Sequence, residues 1–398
     1  MMLLKSKSSK MNDELRKTIL IGFFIRLFLL LFILIVGTEF TAPYFISDDI
    51  KYEEIALKYL DAAKGIIDPN MLARISKGYK QPFWPIVMCI SAYAFRSIYA
   101  ARFLNIIFST VCIYIIYRIV QELSNDQKTA LKGAKLFAYL PVTIFTCCFP
   151  IKDIYITMGV FYAFYLFVLV QNKQVVKKSQ ILIGVLLLVG VYFARGAVTE
   201  MLLIFFGAYI LIRFQKNKQY GLFFLGVVAI GVFLYLFKDG ILNAFETKLK
   251  DYGEDLGTGN GIRLIQIKRI SDIYRLPFAY FFASLQPATL NFLASAGASS
   301  VWLSIITYLN ISIYPIAIGN FLYIFTKKRN AFFWFSTFVM YSAVIILSLG
   351  VFRHYLFLLP VEIINYSLFT KEKSDGGKLS LLLAIGLFVM IALFGMMR

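Results

Sequence analysis

The stretch ILIGFFIRLFLLLFILIVG, residues 19–37, decides the fold. It is apolar over roughly the 20 residues that a helix needs to cross a bilayer. Residues 181–194 and 221–237 have the same character, and the whole chain of 398 residues is 60% hydrophobic and 17% aromatic. Soluble proteins are nearer half apolar. The sequence therefore predicts an all-α polytopic membrane protein, with residues 1–398 forming a single transmembrane domain.

Basic residues are distributed in a pattern that predicts the topology. The formal net charge is +19, and every second connection between apolar runs carries a cluster of Lys and Arg. Such clusters mark cytoplasmic loops, so the charge indicates membrane orientation and no nucleic-acid partner. The clusters are Lys5, Lys7, Lys10, Arg16 and Lys17; Lys128 and Lys132; Lys173, Lys177 and Lys178; Arg213, Lys216 and Lys218; Lys327, Lys328 and Arg329; Lys371, Lys373 and Lys378.

With these clusters inside, the N-terminus is cytoplasmic, the C-terminus is outside, and about eleven helices cross the membrane. The predicted spans are 19–37, 98–120, 133–149, 154–170, 180–194, 197–212, 220–237, 300–325, 331–349, 355–369 and 379–396. The basic start followed by an apolar run is similar to a signal peptide, but Gly37-Thr38-Glu39 offers no suitable cleavage site. We expect an uncleaved first helix in a cell membrane, and the composition is typical of a bacterial chain.

The first outer loop, residues 38–97, is predicted to hold two helices that do not span. Pro82–Phe95 is apolar but too short to cross, so we expect it to lie in the outer interface. Before it, an apolar stripe recurs at helical spacing with charged residues opposite, and the segment begins at a capping sequence and ends at Gly65. The stripe is Tyr52, Ile55, Ala56, Tyr59, Leu60 and Ala63; the polar face is Lys51, Glu53, Glu54, Lys58, Asp61 and Lys64.

The second outer loop, residues 238–299, contains a glycine-rich segment at 251–261. Its glycines lack the strand-to-helix context of a dinucleotide site. A mobile loop is the better interpretation, and such a loop could act as a lid over a site. The four cysteines, Cys89, Cys112, Cys147 and Cys148, lie in apolar segments without metal-binding spacing. No cofactor is required by the sequence; the metal requirement is unknown, and a divalent cation is possible.

Asp48 and Asp49 directly precede the amphipathic helix of the first outer loop. Carboxylates at this position can cap the helix by accepting from its free N–H groups. A carboxylate at the membrane edge can also act as a general base. Two adjacent acids can serve both roles, so both interpretations stay open for this pair.

Three cations, Lys152, Arg195 and Arg353, stand at predicted outer membrane edges, where short loops otherwise avoid basic residues. Each alone could snorkel toward headgroups, but together they could bind a phosphate. His354, the single histidine, is expected to be an interfacial hydrogen-bonding residue. Glu362 and Glu200 lie within spans, where an ionisable group is either functional or bonded to another helix.

The order of these residues resembles the GT-C superfamily of integral-membrane glycosyltransferases, which use polyprenyl-phosphate sugars. The resembling segments are Ser47-Asp48-Asp49 with Tyr52 and Ala56; Lys80-Gln81-Pro82-Phe83-Trp84-Pro85; Tyr99-Ala-Ala-Arg102 with Asn105; Lys152-Asp153; and Arg353-His354-Tyr355 with Pro360. The likeness covers the first 170 residues or so and more loosely the last 50. Gln81 interrupts the family's Pro-Pro pair, and Lys152 precedes its second acid.

The resemblance implies an inverting transferase that moves a sugar from a polyprenyl-phosphate-linked donor to a glycan or lipid acceptor of the cell envelope. Asp49 is then the first candidate base, with Asp48 and Asp153 as further catalytic candidates. Substrate-binding candidates are Lys152, Arg195, Arg353, His354, Lys80, Tyr52 and Arg102. Two alternatives remain: a polysaccharide polymerase that uses lipid-linked repeat units, and a lipid-linked glycan flippase or transporter.

Overall fold

Helices make up the regular structure throughout the described part of the chain. The computed structural model describes residues 2–39, 47–65, 83–236, 305, 309–326, 356–357 and 359–396, and no strand occurs in these ranges. The helices are α1 (Met2–Glu39), α2 (Ser47–Ala63), α3 (Phe83–Phe95), α4 (Ala100–Ser124), α5 (Gln127–Tyr139), α6 (Pro141–Thr146), α7 (Asp153–Gln171), α8 (Lys178–Lys216), α9 (Tyr220–Leu236), α10 (Tyr314–Thr326), α11 (Leu359–Glu372) and α12 (Gly376–Met396), with a 3₁₀ turn at Asn310–Ile313 before α10. The all-α prediction is confirmed.

Five helical segments are long and apolar enough to cross a membrane: Asn12–Gly37, Ala100–Ser124, Asp153–Gln171, Lys178–Gly196 and Val198–Gln215. They coincide with five of the predicted spans. The total of about eleven stays a prediction, because residues 331–349, the whole second outer loop and part of 300–325 lie outside the described residues. The protein is thus a polytopic α-helical membrane protein.

The predicted span 133–149 is a broken helix made of α5 and α6. Leu140 between them is extended, with φ −68° and ψ 119°. Pro141 causes the break, because proline lacks a backbone N–H and its ring forces the preceding residue out of the helical region. The interruption leaves the carbonyls of Phe137 and Ala138 without their normal helical donors.

The chain divides into two compact units, the first comprising 1–195, 285–325 and 356–398, and the second 196–284 and 326–355. In the first unit, α4 packs against α5 and α7, and α1 packs against α4 and α5. The Asn172 side chain at the end of α7 donates to the Glu122 carbonyl near the end of α4, with 2.9 Å between nitrogen and oxygen. Since Asn105 near the start of α4 contacts the turn before α7, α4 and α7 run in parallel. The described residues of the second unit are the second part of α8 and α9.

Close packing fixes α7 against the first part of α8. A side chain at Gly190 would overlap the Tyr155 ring, and one at Gly159 would lie 2.5 Å from Val191 Cγ2. Small residues at such positions allow membrane helices to approach closely. The Tyr155 hydroxyl donates to the Leu187 carbonyl at 3.3 Å, which joins the two helices near the candidate site.

The two helices predicted in the first outer loop are present. α3 has 13 residues and reaches about 20 Å, which is short of the ~30 Å hydrocarbon layer. On α2, Tyr52, Ala56 and Leu60 are buried. Beyond the helix, Gly65 has φ +73°, a left-handed conformation that suits glycine at a helix end.

One assignment on α2 was wrong. Glu53, expected on the polar face, is only 5% exposed, because it forms an ion pair with Arg102 of α4. Helical periodicity predicted that this side chain would be exposed to solvent. It is buried because a cation on another helix stabilises the carboxylate in the interior.

Candidate functional site

The turn between α6 and α7 is held rigidly at one end of the first unit. Trp84 Nε1 of α3 donates to the Pro150 carbonyl at 2.8 Å. Asn105 Nδ2 of α4 donates to the carbonyls of Phe149 and Ile151 at 2.8 and 2.9 Å. These bonds satisfy carbonyls that no helix could pair, and they fix the backbone that leads into Lys152 and Asp153.

Asp153 is the first residue of α7 and forms an ion pair with Arg195. Asp153 Oδ1 lies 3.1 Å from Arg195 Nη2, and the side chains are 4% and 11% exposed. A carboxylate in the first turn also lies favourably at the positive end of the helix dipole. Arg195 itself has extended φ and ψ values of −161° and 88°, which interrupt α8 where the sequence predicts a turn between two spans.

Arg195 is therefore not the isolated cation that the sequence suggested. Its Nη1 is buried, and among the described residues no group accepts a hydrogen bond from it. A guanidinium has five N–H donors, so the ion pair with Asp153 leaves donor capacity at this site. A phosphate oxygen is a group that could use it.

A second buried ion pair joins α2 to α4. Arg102 Nη2 lies 3.0 Å from Glu53 Oε1, with the side chains 0% and 6% exposed. The Arg102 guanidinium also lies 5.2 Å from the centre of the Tyr99 ring. This pair gives Arg102 a structural role in holding α2; its predicted contact with substrate stays a prediction.

Asp49, Tyr52 and Glu53 occupy the buried face of α2, since residues three and four apart share one side of a helix. Asp49 is fully buried. Lys152 Nζ lies 5.8 Å from the centre of the Tyr52 ring, and its residue is 5% exposed. The first turns of α2 thus face the turn that carries Lys152 and Asp153.

We call these six ionisable residues the acid–base cluster: Asp49, Glu53, Asp153, Arg102, Lys152 and Arg195. Three are acidic and three are basic, so the formal charges cancel. Glu53 pairs with Arg102 and Asp153 pairs with Arg195, and buried charges are tolerated when they are paired in this way. The predicted residues Asp49, Tyr52, Arg102, Lys152, Asp153 and Arg195 therefore belong to one end of the first unit.

The side chains of the other predicted site residues lie outside the described part of the chain. Asp48 lies in the first turn of α2, but its side chain is outside the described part. Lys80, Arg353 and His354 also lie outside the described residues. Glu362 is buried in the first turn of α11, and Glu200 on α8 is exposed. In the described ranges, no group of three or more His, Cys, Asp or Glu side chains could hold a metal ion.

Sequence reasoning missed Arg26, which lies fully buried in the middle of α1. All five of its N–H donors are used, by the carbonyls of Gly22, Phe137 and Ala138 and by the hydroxyls of Ser109 and Thr143. It replaces the donors that α5 loses at the proline break. The signal was available, since a charged residue at mid-span demands a partner.

Comparisons with protein-family models and with curated proteins identify no relative. No model of a known protein family matches the chain, and no curated protein matches it. The class defined by the fold, a polytopic α-helical membrane protein, therefore stands without a family assignment.

Proposed function

We propose that the protein is a membrane glycosyltransferase that transfers a sugar from a polyprenyl-phosphate-linked donor to a glycan or lipid acceptor. The observation that supports this function best is the acid–base cluster at one end of the first unit. It combines carboxylates that could accept a proton with cations that could stabilise a leaving phosphate. Its end position suits a reaction at the boundary between a lipid chain and water.

In the proposed reaction, a carboxylate takes the proton of the acceptor hydroxyl as its oxygen attacks the anomeric carbon. The bond from that carbon to the phosphate oxygen breaks, and the electron pair leaves with the polyprenyl phosphate. Direct displacement inverts the anomeric configuration. Lys152 and Arg195 would stabilise the negative charge that grows on the phosphate.

Asp49 is the proposed base. Asp153 is held by Arg195 at 3.1 Å, which gives it a structural role in joining α7 to α8. Asp49 lies on the buried face of α2 next to Tyr52, whose ring contacts Lys152. Asp48 remains the second candidate.

The charge pattern supports an outer position for the site. Within the first unit, the acid–base cluster lies at the start of α4, whereas Lys371 donates to the Ser124 carbonyl at its other end. Lys128 and Lys132 follow just after that end. If these basic residues are cytoplasmic, the cluster faces outside, in a cell membrane.

Single cysteines at Asn70 and Lys177 test this topology. An impermeant thiol reagent should label intact cells at position 70 and not at position 177, and the reverse result would invert the topology.

The decisive variant is Asp49→Asn, because asparagine can still cap a helix but cannot accept the proton. With purified protein and polyprenyl-phosphate donors carrying different sugars, we expect the transfer rate to fall by ~10²–10⁴ while the melting temperature is kept. Asp61→Asn on the same helix is the matched control and should transfer normally. Normal turnover in both Asp49→Asn and Asp48→Asn would reduce the acidic pair to a helix cap.

The same assay separates the alternatives. A polymerase would join lipid-linked repeat units into a longer chain. A flippase would move a lipid-linked glycan across the membrane of a vesicle without transferring sugar. The two ion pairs of the acid–base cluster, Glu53 with Arg102 and Asp153 with Arg195, lie at one end of the first unit, whereas transporters place their charged sites near the midplane of the bilayer. This location favours transfer over transport.

A further inference from the structure

A second charged surface lies at the opposite end of the first unit from the acid–base cluster. A groove of about 440 Å³ runs along α5, and its lining includes Lys128, Lys132, Lys135, Leu136, Tyr139 and Pro141. We call it the lysine groove. The proposed transferase reaction makes no use of it.

The lining of the lysine groove changes from basic to apolar along α5. Lys128, Lys132, Lys135 and Tyr139 are at positions i, i+4, i+7 and i+11, so they form a single stripe along α5. The stripe covers about 16 Å at 1.5 Å per residue. Its basic part lies at the start of α5, and its apolar part reaches the proline break.

The lysines of the groove are exposed and retain donors for a ligand. Lys132 Nζ donates to Thr370 Oγ1 of α11 at 2.8 Å. Lys135 Nζ lies 3.2 Å from Glu14 Oε2 of α1, and both side chains are nearly half exposed. An ammonium group carries three donors, so one partner each leaves Lys132 and Lys135 with two.

Two carboxylates lie beside the lysine groove and offset part of its charge, but three lysines outnumber them. Glu14 pairs with Lys135. Asp126 accepts from the backbone N–H groups of Lys128 and Thr129 as the cap of α5, which commits its oxygens to the helix. The remaining positive charge borders directly on Leu136 and Tyr139, an arrangement that fits a ligand with an anionic head and an apolar tail.

We propose that the lysine groove binds an anionic phospholipid. Its headgroup phosphate would lie on Lys128, Lys132 and Lys135, and an acyl chain would follow Leu136, Tyr139 and Pro141 toward the break between α5 and α6. Basic grooves between helices on the cytoplasmic side are suited to such headgroups. A free phosphate would use the lysines but not the apolar half. The inference does not depend on the proposed glycosyltransferase function.

The experiment measures phosphatidylglycerol binding to the purified full-length protein in a neutral detergent. We expect saturable binding, weaker binding of phosphatidylcholine, and none of glycerol phosphate, which lacks acyl chains. Lys128→Gln changes an exposed side chain and should weaken the affinity about fivefold. Changing Lys128, Lys132 and Lys135 together to Gln should weaken it by an amount on the order of 100-fold.

The matched control changes Lys173, Lys177 and Lys178 to Gln, which removes the same charge from exposed residues of the α7–α8 connection and the start of α8. It should bind phosphatidylglycerol like the wild type. Equal loss in both triple variants would reduce the effect to general charge attraction and overturn the site, as would unchanged binding in Lys128→Gln. If glycerol phosphate binds as tightly as phosphatidylglycerol, the groove is a phosphate site, and the proposal of a phospholipid ligand is overturned. Phosphatidylglycerol binding is measured without a sugar donor, so this proposal and the proposed function can fail separately.

Discussion

Arg26 and Arg195 are both arginines removed from water, but they are satisfied in different ways. Arg26 gives all five donors to neutral carbonyls and hydroxyls at the break between α5 and α6. Arg195 forms an ion pair with Asp153, and in the described part of the chain nothing accepts from its Nη1. A complete set of hydrogen bonds is typical of a structural residue, and an incomplete set leaves capacity to bind a ligand.

The comparison predicts its largest effect at Arg26. Arg26→Met removes the Arg26 donor from the buried Ala138 carbonyl, at about 1–3 kcal/mol, whereas the Phe137 carbonyl keeps the Thr143 hydroxyl. Arg26→Lys should be intermediate, since one ammonium with three donors cannot replace five donors in a planar fork. The measurement is thermal and denaturant unfolding in detergent.

Arg118→Met is the control, because this arginine of α4 is 33% exposed and pairs with Glu122 one turn away. Such pairs contribute within about 1 kcal/mol. Similar unfolding free energies for Arg26→Met and Arg118→Met would contradict the structural role of Arg26.

At Arg195 the effect should appear in binding. Arg195→Lys can keep a charge contact with Asp153 but loses the planar fork, so its melting temperature should change little. Its affinity for polyprenyl phosphate, the lipid that the proposed reaction releases, should fall about tenfold, the lower range for a hydrogen bond to a charged group. Arg213→Lys, exposed on the same helix, should bind normally. If Arg195→Lys and Arg195→Ala lose stability and keep lipid affinity, Arg195 is structural like Arg26.

The smallest effect concerns Asp126, a charged group that, like Arg26, is satisfied by neutral groups. The Thr129 hydroxyl, 2.6 Å away, together with the Lys128 and Thr129 N–H groups, lowers the pKa of this carboxyl below its ordinary value. A lowered folded pKa stabilises the protein at pH values above the unfolded pKa, and this stabilisation disappears as pH falls through the folded pKa. Asp126→Ala should cost about 0.5–2 kcal/mol at neutral pH.

The cap is tested by following the melting temperature against pH for the wild type and Asp126→Ala. The two curves should converge in acid, starting near the ordinary aspartate pKa of about 3.9. A constant separation down to the lowest pH would show that the carboxylate charge does not contribute.

The fold was predictable wherever a single helix is determined by local sequence. Long apolar runs predicted α1, α4 and α7, and the shortness of Pro82–Phe95 predicted a helix that cannot span. The period of apolar residues predicted the buried stripe of α2. Glu53 was assigned wrongly because periodicity describes one helix alone, whereas its burial depends on Arg102 from a distant part of the chain.

The site was predictable as a set of residue types but not as a set of contacts. Charges at the predicted membrane edge drew attention to Asp49, Lys152, Asp153 and Arg195. Which of them pair could not be derived, since an ion pair depends on how helices approach. The approach of α7 and α8 is set by Gly159 and Gly190, whose missing side chains make room for Val191 and Tyr155.

By itself, the sequence determined the helical class, the five confirmed membrane-crossing candidates and the two short helices after α1. These properties depend on the hydrophobicity and spacing of neighbouring residues, which act within one helix. Only the tertiary structure decided that Arg195 is paired with Asp153 and that Arg26 replaces the donors lost at Pro141. A buried charge takes its partners from segments distant along the chain, and those partners are defined only when the helices pack.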